Sequence, residues 1–136
     1  MNKQSFFSAA ILIALSSLAV AATPKEMKTA SGLAITMLAE GAGAQPRSTD
    51  KVKVHYRGTL TSGKEFDSSY GRGQPATFPL NRVIKCWTEG VQMMKVGAKA
   101  KLVCPPEIAY GSRGIPGTIP ANATLVFEVE LLEILK

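Results

Sequence analysis

Histidine and cysteine are scarce in this 136-residue chain, which holds one His (His55) and two Cys (Cys86 and Cys104). So few donors exclude the common zinc arrangements built from Cys and His. The distance between the two cysteines excludes a C-x-x-C redox motif. Nothing in the spacing supports His55 as a base for a Cys86 nucleophile. A membrane-spanning run is also lacking. The most apolar stretch, "FFSAAILIALSSLAV", has 15 residues, against the roughly 20 that a transmembrane helix needs. Lys3 precedes it and the small residues "AVAA" follow, the pattern of a signal peptide cleaved after Ala21 or Ala22. No Cys follows that run, so lipid attachment there is excluded, and no stable membrane insertion is expected after cleavage. Acidic residues are in the minority, 10 against 16 Lys and Arg, for a net charge of +6. A basic chain invites a nucleic-acid reading. Export argues against it, and Lys51, Lys53, His55 and Arg57 alternate as one solvated strand face would, so no nucleic-acid partner is expected. The chain shows no internal repeat and no low-complexity tract.

What is present is period-two alternation. "SGLAITMLAEG" (Ser31–Gly41) reads as a strand with Leu33, Ile35 and Met37 on one face. "KVKVHYRGTL" (Lys51–Leu60) puts Val52, Val54 and Tyr56 on one face. "EFDSS" pairs back after a Gly63 turn, and "TFPL" is a short extended piece. In Arg82–Gly97 the period changes: Val83, Trp87, Val91 and Met94 share one helix face, and Gly97 stands where a C-terminal cap belongs. "AKAKLVC" (Ala98–Cys104) alternates again. The last run places Leu125, Phe127, Val129 and Leu131 on one face and Glu128 and Glu130 on the other. Four or five strands with one short amphipathic helix predict an α+β fold, a curled, mainly antiparallel sheet wrapped on that helix. The expected organisation is a signal peptide over residues 1–21, a polar lead over 22–30 and one domain over 31–136.

Two short motifs carry little. "GRGQPA" (Gly71–Ala76) matches a dinucleotide fingerprint on paper, but Pro75 sits where a helix should start and no βαβ unit surrounds it. The sequon at Asn122 is short enough to arise by chance. More telling is "AYGSRGIPGTIP" (Ala109–Pro120), a Gly- and Pro-rich loop that is unusually apolar for a solvent-facing segment. With Phe66 and Tyr110 lying beside loops, the aromatics read as an apolar bowl with few polar groups, which is how ligand sites look.

The segments "VHYRGTLTSGKEFDSSYGRGQPATFPL", "VIKCWTEGVQMMKVGAKAKLVCPPEIAYG" and "GIPGTIPANATLVFEVELLEI" arrive in order and closely resemble the FKBP-type peptidyl-prolyl isomerases, over roughly Ser31 to Lys136. The resemblance implies a shallow apolar pocket that binds proline. By matched position Trp87 is its floor, and Tyr56, Phe66, Val83, Ile84 and Phe127 are its walls. Asp67 is the buried carboxylate held by Tyr56 and Arg72. The Ile84 N–H and the Tyr110 hydroxyl are the donors to bound carbonyls. Ala109–Pro120 becomes a flap whose Ile115 and Ile119 touch a proline-flanking side chain. Two departures concern substrate preference. Ala76 stands where the family often has an aromatic wall residue, and Thr118 where a bulkier flap residue is frequent, so Phe78 or Ile119 is expected to take more of the contact.

The implied partners are partly folded, proline-containing polypeptides, with macrolides such as rapamycin as inhibitors. The alternative is a chaperone or surface module that docks proline without turnover. Isomerisation of an amide breaks no bond, so no metal or cofactor is expected. Export places the chain most simply in a bacterial periplasm. Relatives resembling macrophage infectivity potentiators carry a long helical dimerisation segment. Only about eight or nine residues lie between the cleavage site and Ser31, too few for such a helix pair, and a monomer is expected. In an oxidising compartment Cys86, at the helix start, and Cys104, at the end of the strand beneath it, are expected to form a structural disulfide. Two buried free thiols are the alternative.

Overall fold

The structure, a computed structural model, describes residues 25–135. The expected signal peptide lies outside the described residues.

Seven strands form one antiparallel sheet: β1 (Glu26–Lys28), β2 (Ala34–Ala39), β3 (Lys51–Leu60), β4 (Glu65–Ser68), β5 (Ala76–Pro79), β6 (Lys99–Cys104) and β7 (Leu125–Leu135). Their order is β1-β2-β6-β7-β3-β4, with β5 also on β3. β3 pairs along its whole length with β7 on one edge. Its other edge is shared, with β5 on Lys51–Val54 and β4 on Arg57–Thr59. The alternation in β3 and β7 thus reflects membership of the sheet centre, where Val52, Val54, Leu125, Val129 and Leu131 are all fully buried.

Two helices complete the α+β fold: a single turn, α1 (Ser69–Arg72), and the main helix, α2 (Lys85–Gln92). Trp87 and Val91 on α2, and Met94 just beyond it, pack onto the sheet. Gly90 permits the close approach, because a Cβ there would lie 3.0 Å from two Leu102 methyls. Thr88 Oγ1 donates to the Leu80 carbonyl at 2.7 Å and pins the helix to the 3-10 turn before it. Cys86 and Cys104 are joined by a disulfide with Cα atoms 5.8 Å apart, tying the first turn of α2 to the end of β6.

Several expectations need correction. The strand count is seven rather than four or five. Glu26–Lys28, placed in the polar lead, pairs with Ala34–Thr36; its three residues are exposed and show no apolar period. The helix is shorter than Arg82–Gly97: it begins after Ile84 and ends at Met93, where the Met93 N–H donates to the Gly90 carbonyl and the Met94 N–H to the Val91 carbonyl. Gly97 is not its cap. Its φ of 97° turns the chain into β6, with its N–H donating to Leu131.

The outer sheet face is a ladder of opposite charges. Lys53 and Arg57 on β3 stand opposite Glu133 and Glu128 on β7, and Glu130 and Glu128 face Lys99 and Lys101 on β6. Cross-strand pairing of this kind stabilises a sheet modestly.

Candidate functional site

At one end of the barrel-like curl lies a cavity of about 460 Å³. Its floor is Trp87 on α2. Tyr56 comes from the inward face of β3, Phe66 and Asp67 from β4, Phe78 from β5 and Phe127 from β7. Arg82, Val83 and Ile84 enter from the turn before α2, and Tyr110 from the loop after β6.

The aromatic rings meet edge to face. Trp87 lies 5.2 Å from Tyr56, 5.5 Å from Phe78 and 5.4 Å from Phe127, with interplanar angles near 85°. Phe66 meets Phe127 in the same way at 5.7 Å. Edge-to-face pairs at such separations are favoured by the ring quadrupoles. The Trp87 Nε1–H is buried without a partner among the described residues.

Gly58 on β3 makes room for two of these rings. A Cβ there would sit 2.6 Å from Phe66 Cζ and 2.8 Å from Phe127 Cε1. A glycine inside a strand commonly marks such a close approach.

Polar groups are few and mutually engaged. The Tyr56 hydroxyl donates to Asp67 Oδ2. Arg72 Nη1 donates to Asp67 Oδ1 at 2.6 Å, and its Nη2 to the Tyr56 oxygen at 3.2 Å. Burial pushes the Asp67 carboxyl up, but the hydrogen bonds from Tyr56 and Arg72 and the Arg72 charge outweigh it and hold the group below its ordinary value. Burial, then the bond to Asp67, raises the Tyr56 phenol. Tyr110 is raised by burial and by the Asp67 charge. All three phenol and carboxyl groups therefore keep one protonation state near neutral pH: the two tyrosines protonated, Asp67 ionised.

The Ile84 N–H precedes the first helical hydrogen bonds of α2. The Ile84 carbonyl accepts from Trp87 and Thr88, and the residue lines the cavity. Among the described residues, no group of three or more His, Cys, Asp or Glu is placed to hold a metal ion.

The structure brings Tyr56, Phe66, Asp67, Phe78, Val83, Ile84, Trp87, Tyr110 and Phe127 together around one cavity. Ile119 is a correction: it packs into the core at 4% exposure and does not line the cavity. Its backbone bridges to Ile115 in both directions at 2.8 Å, which closes the loop into a tight turn and leaves Ile115 in solvent. Of that loop only Tyr110 reaches the lining. Arg72 also stands outside the lining and acts through Asp67 and Tyr56. Asp67 itself is half-exposed rather than buried, with 40% of its side chain accessible. Arg82 was missed. Its position in the lining depends on how the 3-10 turn Leu80–Arg82 directs the chain, which residue type alone does not signal. Ala76 pairs with Val54 and lies outside the lining, so Phe78 supplies the wall on that side.

The model of the FKBP-type peptidyl-prolyl cis-trans isomerase family matches residues 43–132. The chain is 61% identical over 108 residues to the Aeromonas hydrophila FKBP-type peptidyl-prolyl cis-trans isomerase FkpA, covering 79% of this chain and 40% of the relative. It is 54% identical over 107 residues to the FKBP-type 22 kDa peptidyl-prolyl cis-trans isomerase of Escherichia coli, covering 79% and 52%. The chain thus spans about half or less of the length of these curated relatives. Among solved structures, FkpA from Escherichia coli superposes with a TM-score of 0.79 at 45% identity, over 92% of this chain and 58% of that one. A peptidyl-prolyl cis-trans isomerase from Pseudomonas syringae superposes with a TM-score of 0.78 at 36% identity, over 99% of this chain and all of the other.

Proposed function

The chain belongs to the FKBP-type peptidyl-prolyl cis-trans isomerase family, and from that premise we propose that it catalyses isomerisation of X-Pro bonds in partly folded polypeptides. The observation that carries this reading is the aromatic box floored by Trp87.

The barrier to rotation about a peptide bond is about 18–20 kcal/mol, most of it lost amide resonance, and uncatalysed X-Pro interconversion takes tens of seconds or longer. The twisted amide is less dipolar than the planar one. Water therefore stabilises the ground state more, and moving the bond into a dry aromatic cavity lowers the barrier by difference. The proline ring rests on Trp87 between Tyr56, Phe78 and Phe127. The Ile84 N–H and the Tyr110 hydroxyl hold the flanking carbonyls and fix the geometry in which the bond turns. Tyr110 serves as a donor only while protonated, and its raised pKa secures that at neutral pH. The reaction requires neither nucleophile nor redox group.

The apolar N-terminal run and the Cys86–Cys104 bridge support an exported setting such as a bacterial periplasm. Rapamycin-type macrolides are proposed to occupy the same cavity, and the domain is proposed to act as a monomer. Light scattering of the exported protein tests the monomer, and a stable dimer would refute it.

A protease-coupled prolyl peptide assay tests the activity. Acceleration inhibited by rapamycin is expected, and no acceleration at micromolar protein would refute catalysis. Trp87→Leu removes the floor. It is expected to weaken macrolide binding at least tenfold, more than its effect on melting temperature would account for. Unchanged binding in titrations would show that the site lies elsewhere.

A further inference from the structure

A second cavity, a groove of about 740 Å³, lies on the outer side of α2. Val83 lines both it and the aromatic cavity, so the two adjoin at that residue. Leu80 anchors the turn that leads to Val83: it is fully buried, and its N–H donates to Asp50. Val83 follows in extended backbone, with φ −120° and ψ 177°.

The charges around the two cavities are unbalanced. The aromatic cavity has two charged lining residues, Asp67 and Arg82. Asp67 is engaged by Arg72 and Tyr56, whereas Arg82 is exposed and forms no ion pair among the described residues. Just past Val83 the groove presents Lys85, likewise exposed and without an ion pair among the described residues. Glu89 is the opposing charge there, and it accepts a hydrogen bond from Ser31.

We propose that the groove is a second subsite for the polypeptide, in which Arg82 and Lys85 select an acidic side chain flanking the proline. This rests on the isomerase reading of the adjoining cavity. A peptide seated on Trp87 leaves the cavity over Val83, and its next side chains pass between the two cations. Exposed pairs of this kind confer modest discrimination that salt screens.

The test is a panel of proline peptides carrying Glu, Gln or Lys on either side of the proline. Each is measured for kcat/KM in low and high salt with the wild-type protein, Arg82→Glu/Lys85→Glu, and the charge-matched control Lys95→Glu/Lys101→Glu, whose exposed positions line neither cavity. The wild-type protein is expected to favour a Glu peptide over its Lys counterpart about two- to fivefold in low salt. The ratio should shrink in high salt, invert in the double variant and persist in the control. Turnover without charge preference overturns the subsite, as does a preference that survives in the double variant. If no peptide is accelerated, the isomerase reading fails first. Peptide binding followed by fluorescence anisotropy then decides the subsite: tighter binding of the Glu peptide sustains it, and equal or absent binding overturns it.

Discussion

Gly58 shows how a single residue shapes the cavity. Its missing Cβ leaves the space that Phe66 and Phe127 occupy, so Gly58→Ala must displace one wall or the other. Overpacking of this kind destabilises by about 1–3 kcal/mol, and both displaced rings belong to the box. The variant is expected to fold with a lowered melting temperature and to bind macrolide several-fold more weakly; unaltered binding would contradict the close approach. Asp67 acts at the same scale through charge. Its folded pKa is lowered, so its contribution is present above the ordinary Asp value of about 3.9 and fades as pH falls through the lower folded value. Asp67→Asn is expected to melt below the wild-type protein at pH 7, with the gap narrowing as pH falls below the ordinary Asp range. A gap that stays constant with pH would show that the carboxylate charge contributes nothing. The aromatic members of the site were legible because residue identity and motif position coincide there. Arg82 and Ile119 were not, since which way a side chain faces in a tight turn depends on backbone angles that neither composition nor period reveals.

Among the elements, the disulfide carries the clearest consequence. It joins α2 to β6 across a separation of 18 residues, and closing a loop of that size contributes about 3 kcal/mol in the chain-entropy model. α2 has 8 residues and no side-chain N-cap, too short to persist alone. Its placement relies on packing and on this bridge. Cys86→Ala/Cys104→Ala is expected to lower the melting temperature by roughly 10 °C or more, measured against the oxidised wild-type protein by calorimetry. No change would mean that packing alone holds the helix. β3 and β7 were readable because each runs through the sheet centre, where one face is wholly buried. β1 was not, because an exposed three-residue edge strand has nothing apolar to alternate. α1 was hidden for a related reason: a single turn capped by the Ser68 hydroxyl leaves no helical period to detect.

For the whole molecule, the antiparallel α+β arrangement follows from the order of alternating runs around one helical run, whereas the curl that gathers residues from β3, β4, β5, β7 and α2 at one end is a property of sheet twist and pairing. The chain's only tryptophan also lies beside its only disulfide, since Trp87 follows Cys86 directly. Disulfides quench indole excited states at short range by accepting an electron. The intact protein should therefore emit weakly on excitation at the indole band. Cleavage of the bridge in the folded state should brighten it, with no second tryptophan to dilute the change. Comparing emission of the oxidised protein with that of Cys86→Ala/Cys104→Ala under native conditions checks this, and equal quantum yields would refute it. The floor of the cavity would then act as an optical gauge, one chromophore reporting both the redox state of the chain and the arrival of a ligand.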